Sequence, residues 1–469
     1  MTVLNANRPS AGHEADTSRT LNLVSWTAQL KFEDLPRPVI ERTKDLFLDW
    51  YASALGGRHH PAVLAIDDFA KHMGPSDGRS EIIHAPGRKT SAAFAALING
   101  AASHVIEQDD LHNSSMMHPA TVVFPAALAV AQDVGASGQE FITACVAGYD
   151  AACRVGELLG PSHYANFHTT ATSGVIGAAV TSAHLLKLSI PDTLSAVGTA
   201  ATQAAGLWQF LLDATHSKQV HTAKACFDGV FAAYVAQSKL LGPSDVLEGE
   251  KGMAASLVPG EPNPQALDRQ LGTKYSILES SFKWHASCRH THPSVDAILS
   301  IMQHNGLNIN DVRNVVCHTY RAAIDILTRS EKAETVHQSK FSMGFVLAVA
   351  AKYGRATVLD FTEQALDDVE LRSFQRRVKM TLDAEIEAAF PEKWQGRVDI
   401  VTKSGKTFSE MVDVVKGDPG KSLTRDELEQ KILVIAEYAK IKDVETIKRN
   451  IPLVWQLEGE QRLSGFSCS

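Results

Sequence analysis

The chain has 469 residues, 44% hydrophobic and 21% charged, and a formal net charge of -8 from 45 Lys and Arg against 53 Asp and Glu. This composition excludes a disordered or fibrous protein, and the length predicts two domains, each able to bury a core without disulfides. No basic block could track a phosphate backbone and no apolar run reaches the roughly 20 residues that span a bilayer, so neither nucleic acid nor a membrane is an expected partner.

Residues Met1 to Arg19 are polar, lack an apolar signal-peptide core and read as a frayed leader of a cytoplasmic protein. The six cysteines (145, 153, 226, 288, 317, 468) form no CxxC pairs, as expected of reduced thiols. From Thr20 to about Gly242, Ala, Leu and Val recur in segments apolar on more than one face, which predicts helices buried in a large bundle. Pro38 to Trp50 is one such helix behind a proline start signal, Pro191 opens another, and Gly135-Ala-Ser-Gly138 is a loop between two.

The texture changes near Gly272. Tyr275 to Lys283 and Val312 to Tyr320 alternate like strands, and Gly396 to Phe408 reads as two short strands about a Ser404-Gly405 turn. After Gly417-Asp-Pro-Gly420 the pattern is helical again, with Thr424 as an N-cap. The expected fold is mainly α. A large all-helical domain comprises residues 1–268 and 415–469, and a smaller α+β domain, 269–414, is inserted before the C-terminal helices. Such an insertion creates a cleft, and ligand sites favour domain interfaces.

Four clusters of ionisable residues interrupt the apolar segments, where tuned acids and bases are usually found. In Glu107-Gln-Asp-Asp-Leu-His112, Asp109 and His112 share a face if the stretch is helical, and His118-Pro119 follows at a turn. A capped helix end is the plainer reading. His168 stands before the small-residue run Gly174 to Val180, where a helix N-terminus could hold a carboxylate. Lys218 and His221 lie at helical spacing. The fourth cluster, Lys283 with Cys288, Arg289, His290 and His292, concentrates cations in a net-acidic chain and suggests an anion site. Cys288, His290 and His292 could also ligate zinc, as in a zinc hydrolase, but their spacing matches no common zinc pattern and no HExxH is present. No metal and no organic cofactor is expected.

In these segments the sequence resembles the MmgE/PrpD family over nearly its full length. The resemblance rests on Asp109-Asp110-x-His112, His118-Pro119, the His168 segment, Lys218-x-x-His221, Lys283-x-x-x-x-Cys288-Arg289, and Ser339-Lys-Phe-Ser-Met343 with Val346 to Ala350. It implies a helical domain with a smaller α+β lid, a site between them, a homodimer, and cofactor-independent chemistry on small di- or tricarboxylates. A proton alpha to an ionised carboxylate is a poor acid, so its removal needs a positioned base and fixed positive charge on the developing enediolate. Expected in catalysis are His118, His168, Lys218, His221, Asp109 and His112, with Asp109 orienting His112 or a neighbour. Lys283, Arg289, Cys288 and His292 are expected to bind substrate. Within the family, decarboxylases of cis-aconitate carry threonine at the place of Leu111 and lysine at that of Phe227. These departures favour epimerisation of iminodisuccinate as the expected reaction, with 2-methylcitrate-type dehydration, then cis-aconitate-type decarboxylation, as alternatives.

Overall fold

The structure is a computed structural model that describes residues 18–213 and 215–468. The expected leader lies outside the described residues except for Ser18 and Arg19, which begin the first helix: Ser18 caps Arg19–Gln29. Among the described residues no helix is long and apolar enough to cross a membrane.

The chain is mainly helical, and the helices expected behind Pro38 and Pro191 are both present. Arg37–Gly56 starts at Pro36 with Pro38 in its first turn and is buried on nearly every face from Val39 onward. Gly135, at φ 71, ends Ala120–Val134 in the left-handed conformation that glycine adopts without a Cβ penalty. Ser137 and Glu140 then form a reciprocal capping box that starts Gly138–Tyr164. Ile190–Ala201 has Pro191 in its first turn. Ser217–Gln237 lies against both Ala92–His104 and Gly174–Leu185. Small residues permit this closeness: a Cβ on Gly100 would meet the Cys226 sulfur at 2.7 Å.

Short strands Ser80–Glu81 (β1) and Lys89–Thr90 (β2) pair with each other, and Leu111–His112 (β3) pairs antiparallel with Ser280–Ser281 (β4). The one larger sheet among the described residues has the order β6-β5-β7-β8, formed by Val312–Thr319 (β5), Val378–Leu382 (β6), Gly396–Thr402 (β7) and Thr407–Val412 (β8). β5 is parallel to β6 and antiparallel to β7, with Val315 opposite both Val378 and Ile400. Helix His292–His304 packs on β7 and β8, and Met343–Tyr353 packs on His292–His304 and β6.

Two expectations are corrected. Tyr275 to Lys283 is not a long strand. A 3-10 turn occupies Ser276–Glu279, and only Ser280 and Ser281 pair, because β3 offers a two-residue partner. β6 was not anticipated, although Val378-Lys-Met-Thr-Leu382 alternates apolar and polar residues; it is a five-residue edge strand with little buried surface. The C-terminal helices do return to the N-terminal half. Thr424 caps Arg425–Tyr438 through a capping box, and this helix packs on Arg37–Gly56 with a buried ion pair from Lys431 to Asp49.

Candidate functional site

The site is built on the loop between His104, last residue of Ala92–His104, and Ala120, first of the next helix. Within it Glu107 has φ 60, a conformation that costs a non-glycine residue on the order of 1 kcal/mol or more. Two buried lysines from distant parts of the chain hold the loop there. Lys340 Nζ donates to the Ile106 carbonyl at 3.0 Å and Lys431 Nζ to the Gln108 carbonyl at 2.8 Å.

The Glu107 carboxylate is gripped by two ammonium groups, Lys218 on one oxygen and Lys283 on the other, the latter at 2.8 Å. Burial alone would raise the Glu107 pKa, but Lys218 and Lys283 hold it well below the ordinary carboxylate range. Lys283 responds in kind: burial works against its charge, and Glu107 and Asp109 nevertheless hold its pKa above the usual value. Each ammonium group spends one N–H on Glu107, so both keep donors to offer an incoming anion.

Asp109, fully buried, accepts from His104 Nδ1 at 2.7 Å and His118 Nδ1 at 3.1 Å on the same oxygen. Burial opposes its charge, and the two imidazoles hold its pKa well below normal. His118 Nδ1 also meets the Asp110 carbonyl at 2.6 Å. A carbonyl only accepts, so the proton of His118 sits on Nδ1 and the Nε2 lone pair is left for the cleft. Burial lowers the His118 pKa, with Lys283 and Lys218 adding to the effect against Asp109, so the ring is neutral near pH 7.

His168 donates its backbone N–H to the Gly206 carbonyl at 2.8 Å. Gly206 sits at φ 146, and a Cβ there would meet that of Ala171 at 2.8 Å. The His168 ring lies between His104, at 5.5 Å, and Trp208, at 5.0 Å, and its Nδ1 is 3.3 Å from His221 Nδ1. Burial and the neighbouring imidazoles push its pKa well down. From the other half of the chain come Cys288, Arg289 and His290. Arg289 is ion-paired to Asp418, and His290 stacks on Trp394 at 4.6 Å with Nδ1 2.7 Å from the Tyr320 hydroxyl. These groups and His118, His168, Lys218 and Lys283 line one cleft with about 40 Å³ of free space. Burial pushes the Cys288 thiol up to about 11, which makes it a poor nucleophile near neutral pH.

Of the expected residues, His118, His168, Lys218, Lys283, Cys288 and Arg289 line this cleft, and Asp109 stands directly behind His118. His221 touches His168 from an adjoining cavity of about 430 Å³. Two residues do not join them. The stretch at His112 is extended, so successive side chains point to opposite faces: Leu111 lines the cleft and His112 turns away to Ser115 and Glu279. Asp109 therefore orients His104 and His118, not His112. His292 is tucked against the Ser287 carbonyl and the His285 ring. The zinc reading loses its donor set as well, because His290 turns to the Tyr320 hydroxyl and His292 to the Ser287 carbonyl, and neither forms a converging ligand group with Cys288. His104, Asp109 and His118 do converge within 4.8 Å, at distances that are those of hydrogen bonds.

Sequence reasoning missed Glu107, His104, Lys340, Lys431 and Asp418. Glu107 heads the Asp-rich motif that drew attention, and a histidine closing an alanine-rich buried helix was the available signal for His104.

The MmgE/PrpD N-terminal domain profile matches residues 21–265 and the C-terminal domain profile residues 285–457. The chain belongs to the MmgE/PrpD family. Among its relatives are a cis-aconitate decarboxylase-like protein of Aspergillus oryzae, 27% identical over 94% of each chain, and the cis-aconitate decarboxylase of Aspergillus terreus, 25% identical over 87% of each. The human cis-aconitate decarboxylase is 24% identical over 92% of this chain and 89% of its own. The MmgE/PrpD cleft gives unequal weight to the two departures noted in the sequence. Leu111 lines it, whereas Phe227 does not and packs edge-on against Phe94 at 5.4 Å.

Proposed function

We propose that this MmgE/PrpD protein is a cofactor-independent lyase acting on a small polycarboxylate, in the first instance decarboxylating a cis-aconitate-like tricarboxylate. The observation that carries the reading is His118, its proton fixed on Nδ1 and its Nε2 presented to a cleft flanked by Lys218 and Lys283. The decarboxylase relatives, similar over nearly the whole chain, support the choice of reaction over the epimerisation expected from sequence.

Lys218, Lys283 and Arg289 hold the carboxylates by charge-assisted hydrogen bonds. The negative charges of the bound substrate raise the His118 pKa, so the ring takes up a proton from solvent as substrate enters. When the bond to the departing carboxylate breaks, CO2 leaves and its electron pair forms a new alkene. The original alkene pair moves onto the carbon alpha to a retained carboxylate. The resulting dienediolate is stabilised by the lysines, and His118 protonates that carbon. Cys288 bounds the cleft as a neutral thiol.

The free space of about 40 Å³ holds one or two waters, not a tricarboxylate. Entry therefore requires the cleft walls to part, and we assign residues 269–414 as a lid over a body formed by 1–268 and 415–469. Leu111 is the observation that favours a second reading, proton exchange or dehydration without loss of CO2, as in iminodisuccinate epimerisation or 2-methylcitrate dehydration.

The test is proton NMR of chelator-treated enzyme in D2O with cis-aconitate, 2-methylcitrate and iminodisuccinate offered separately. Consumption of cis-aconitate, with deuterium on the carbon alpha to a retained carboxylate, is expected. Scrambling of iminodisuccinate or an alkene from 2-methylcitrate, with cis-aconitate untouched, would replace this reading by the second.

A further inference from the structure

Behind the catalytic cleft lies a second cavity of about 680 Å³, divided from it by consecutive residues that face opposite ways. Ile106 and Lys340 line the second cavity, whereas their neighbours Glu107 and Phe341 line the first. Its ionisable lining is one-sided: His59, His60, His337, Lys340 and Lys440 against the single carboxylate of Glu363. The Pro61–Met73 helix also begins there, with no acidic residue in its first turn.

Lys340 is the anchor. It is 4% exposed, and its Nζ has one hydrogen-bond acceptor, the Ile106 carbonyl, for three N–H donors. Burial pulls its pKa down to about 8, Lys283 and Lys218 adding to that against Glu107. His60, depressed to about 4 by burial and by His216 and Lys340, and His337, depressed to about 4 chiefly by burial, are neutral donors near pH 7. Near pH 7 the lining therefore sets the two ammonium groups of Lys340 and Lys440 and the neutral imidazoles against the one carboxylate of Glu363, a net positive balance that an anion relieves.

We propose that this cavity is a second anion site, for a small dianion with the chemistry shared by inorganic phosphate and a short dicarboxylate, and that it communicates with the catalytic cleft through Lys340. A dianion on Lys340 competes with the Ile106 carbonyl for the ammonium group, and so loosens the loop that presents Glu107 to Lys218 and Lys283. The binding claim is independent of the proposed reaction; the communication rests on that assignment of the cleft.

Titration calorimetry of the full chain with phosphate, and separately with succinate, tests it. Lys440→Glu and His59→Glu, both at exposed positions of the rim, reverse one charge and add a negative one at the second cavity without touching the first. Together they are expected to weaken binding about tenfold or more, the effect of losing a charge-assisted contact, while Lys218→Ala leaves it in place. Binding of phosphate alone identifies free phosphate as the occupant, and binding of succinate identifies a dicarboxylate. Binding of neither, or binding that survives the rim substitutions and disappears with Lys218→Ala, would overturn the proposal. For the communication, the bound anion should raise KM in the native protein and leave it unchanged in the rim variant. An equal rise in both would place the effect in the catalytic cleft.

Discussion

Asp109 and His118 meet at 3.1 Å through the same imidazole nitrogen that donates to the Asp110 carbonyl. The carbonyl sets the tautomer and the carboxylate sets the charge the ring can bear. Asp109→Asn removes that charge and leaves His104 and His118 facing a neutral amide. It is expected to lower kcat by about 10²- to 10⁴-fold, the range of a positioned acid or base, with the thermal midpoint of unfolding changing less than in a core deletion. A kcat within threefold of the native value would show that His118 is not the proton carrier.

The pH dependence of kcat/KM separates the two reaction readings, because it reports the free enzyme. Burial, with Lys283 and Lys218, puts the His118 pKa below its ordinary 6.5. If His118 must deliver a proton, as in decarboxylation, the active form is the protonated one. The rate then falls as pH rises through a midpoint below 6.5. If neutral His118 must abstract a proton, the rate climbs through the same window. A midpoint above 6.5 for either limb would assign it to another group.

Glu107 balances two buried ammonium groups, so Glu107→Gln is expected to destabilise the protein by about 3–5 kcal/mol at pH 7, the cost of leaving buried charge without its partner. The sign with pH follows from its depressed pKa. Its stabilisation is fully present above the unfolded carboxylate value of about 4.3 and is lost as pH falls through the lower folded value. Urea unfolding at pH 7 and below pH 4 should therefore show the gap between native protein and variant closing with acid; a gap that widens would contradict the assignment.

Leu111 and Phe227 make a paired test of what the cleft discriminates. Leu111→Thr places a hydroxyl among the lining residues and is expected to change the kcat/KM ratio between cis-aconitate and iminodisuccinate by about tenfold, the scale of one hydrogen bond in a site. Phe227→Lys alters a ring packed on Phe94, outside the cleft lining, and should leave that ratio within about twofold of native, as befits a change of stability without contact to substrate. The reverse pattern would mean that the cleft is not where the substrate is chosen.

Helices such as Arg37–Gly56 were legible because local signals, a proline start and a 3.6 period, decide them. The Tyr275 to Lys283 stretch was misread because alternation predicts a strand and the partner decides its length. Likewise Lys218, Lys283 and Arg289 stood out as charge in apolar surroundings, while His112 was misassigned by a helical period in a stretch that is extended. Lys431 had no local signal, and Lys340 stood out only as part of the Ser339 to Met343 motif, with nothing to mark its role. Their acceptors lie 234 and 323 residues away, a relationship that tertiary packing alone creates.

Lys431 shows how such a residue can serve the site without facing the cleft. It neutralises buried Asp49 and donates to the Gln108 carbonyl, one residue beyond the left-handed Glu107. Lys431→Met should cost about 3–5 kcal/mol, because Asp49 is left as an unpaired buried charge. Replacing both partners, as in Asp49→Leu with Lys431→Met, removes that penalty and is expected to restore most of the stability. The double variant still lacks the Gln108 tether, so if the tether positions Glu107, kcat stays depressed while the unfolding midpoint recovers. Recovery of both together would mean that Lys431 acts on stability alone, and that Lys340 and local packing suffice to hold Glu107 between its two lysines.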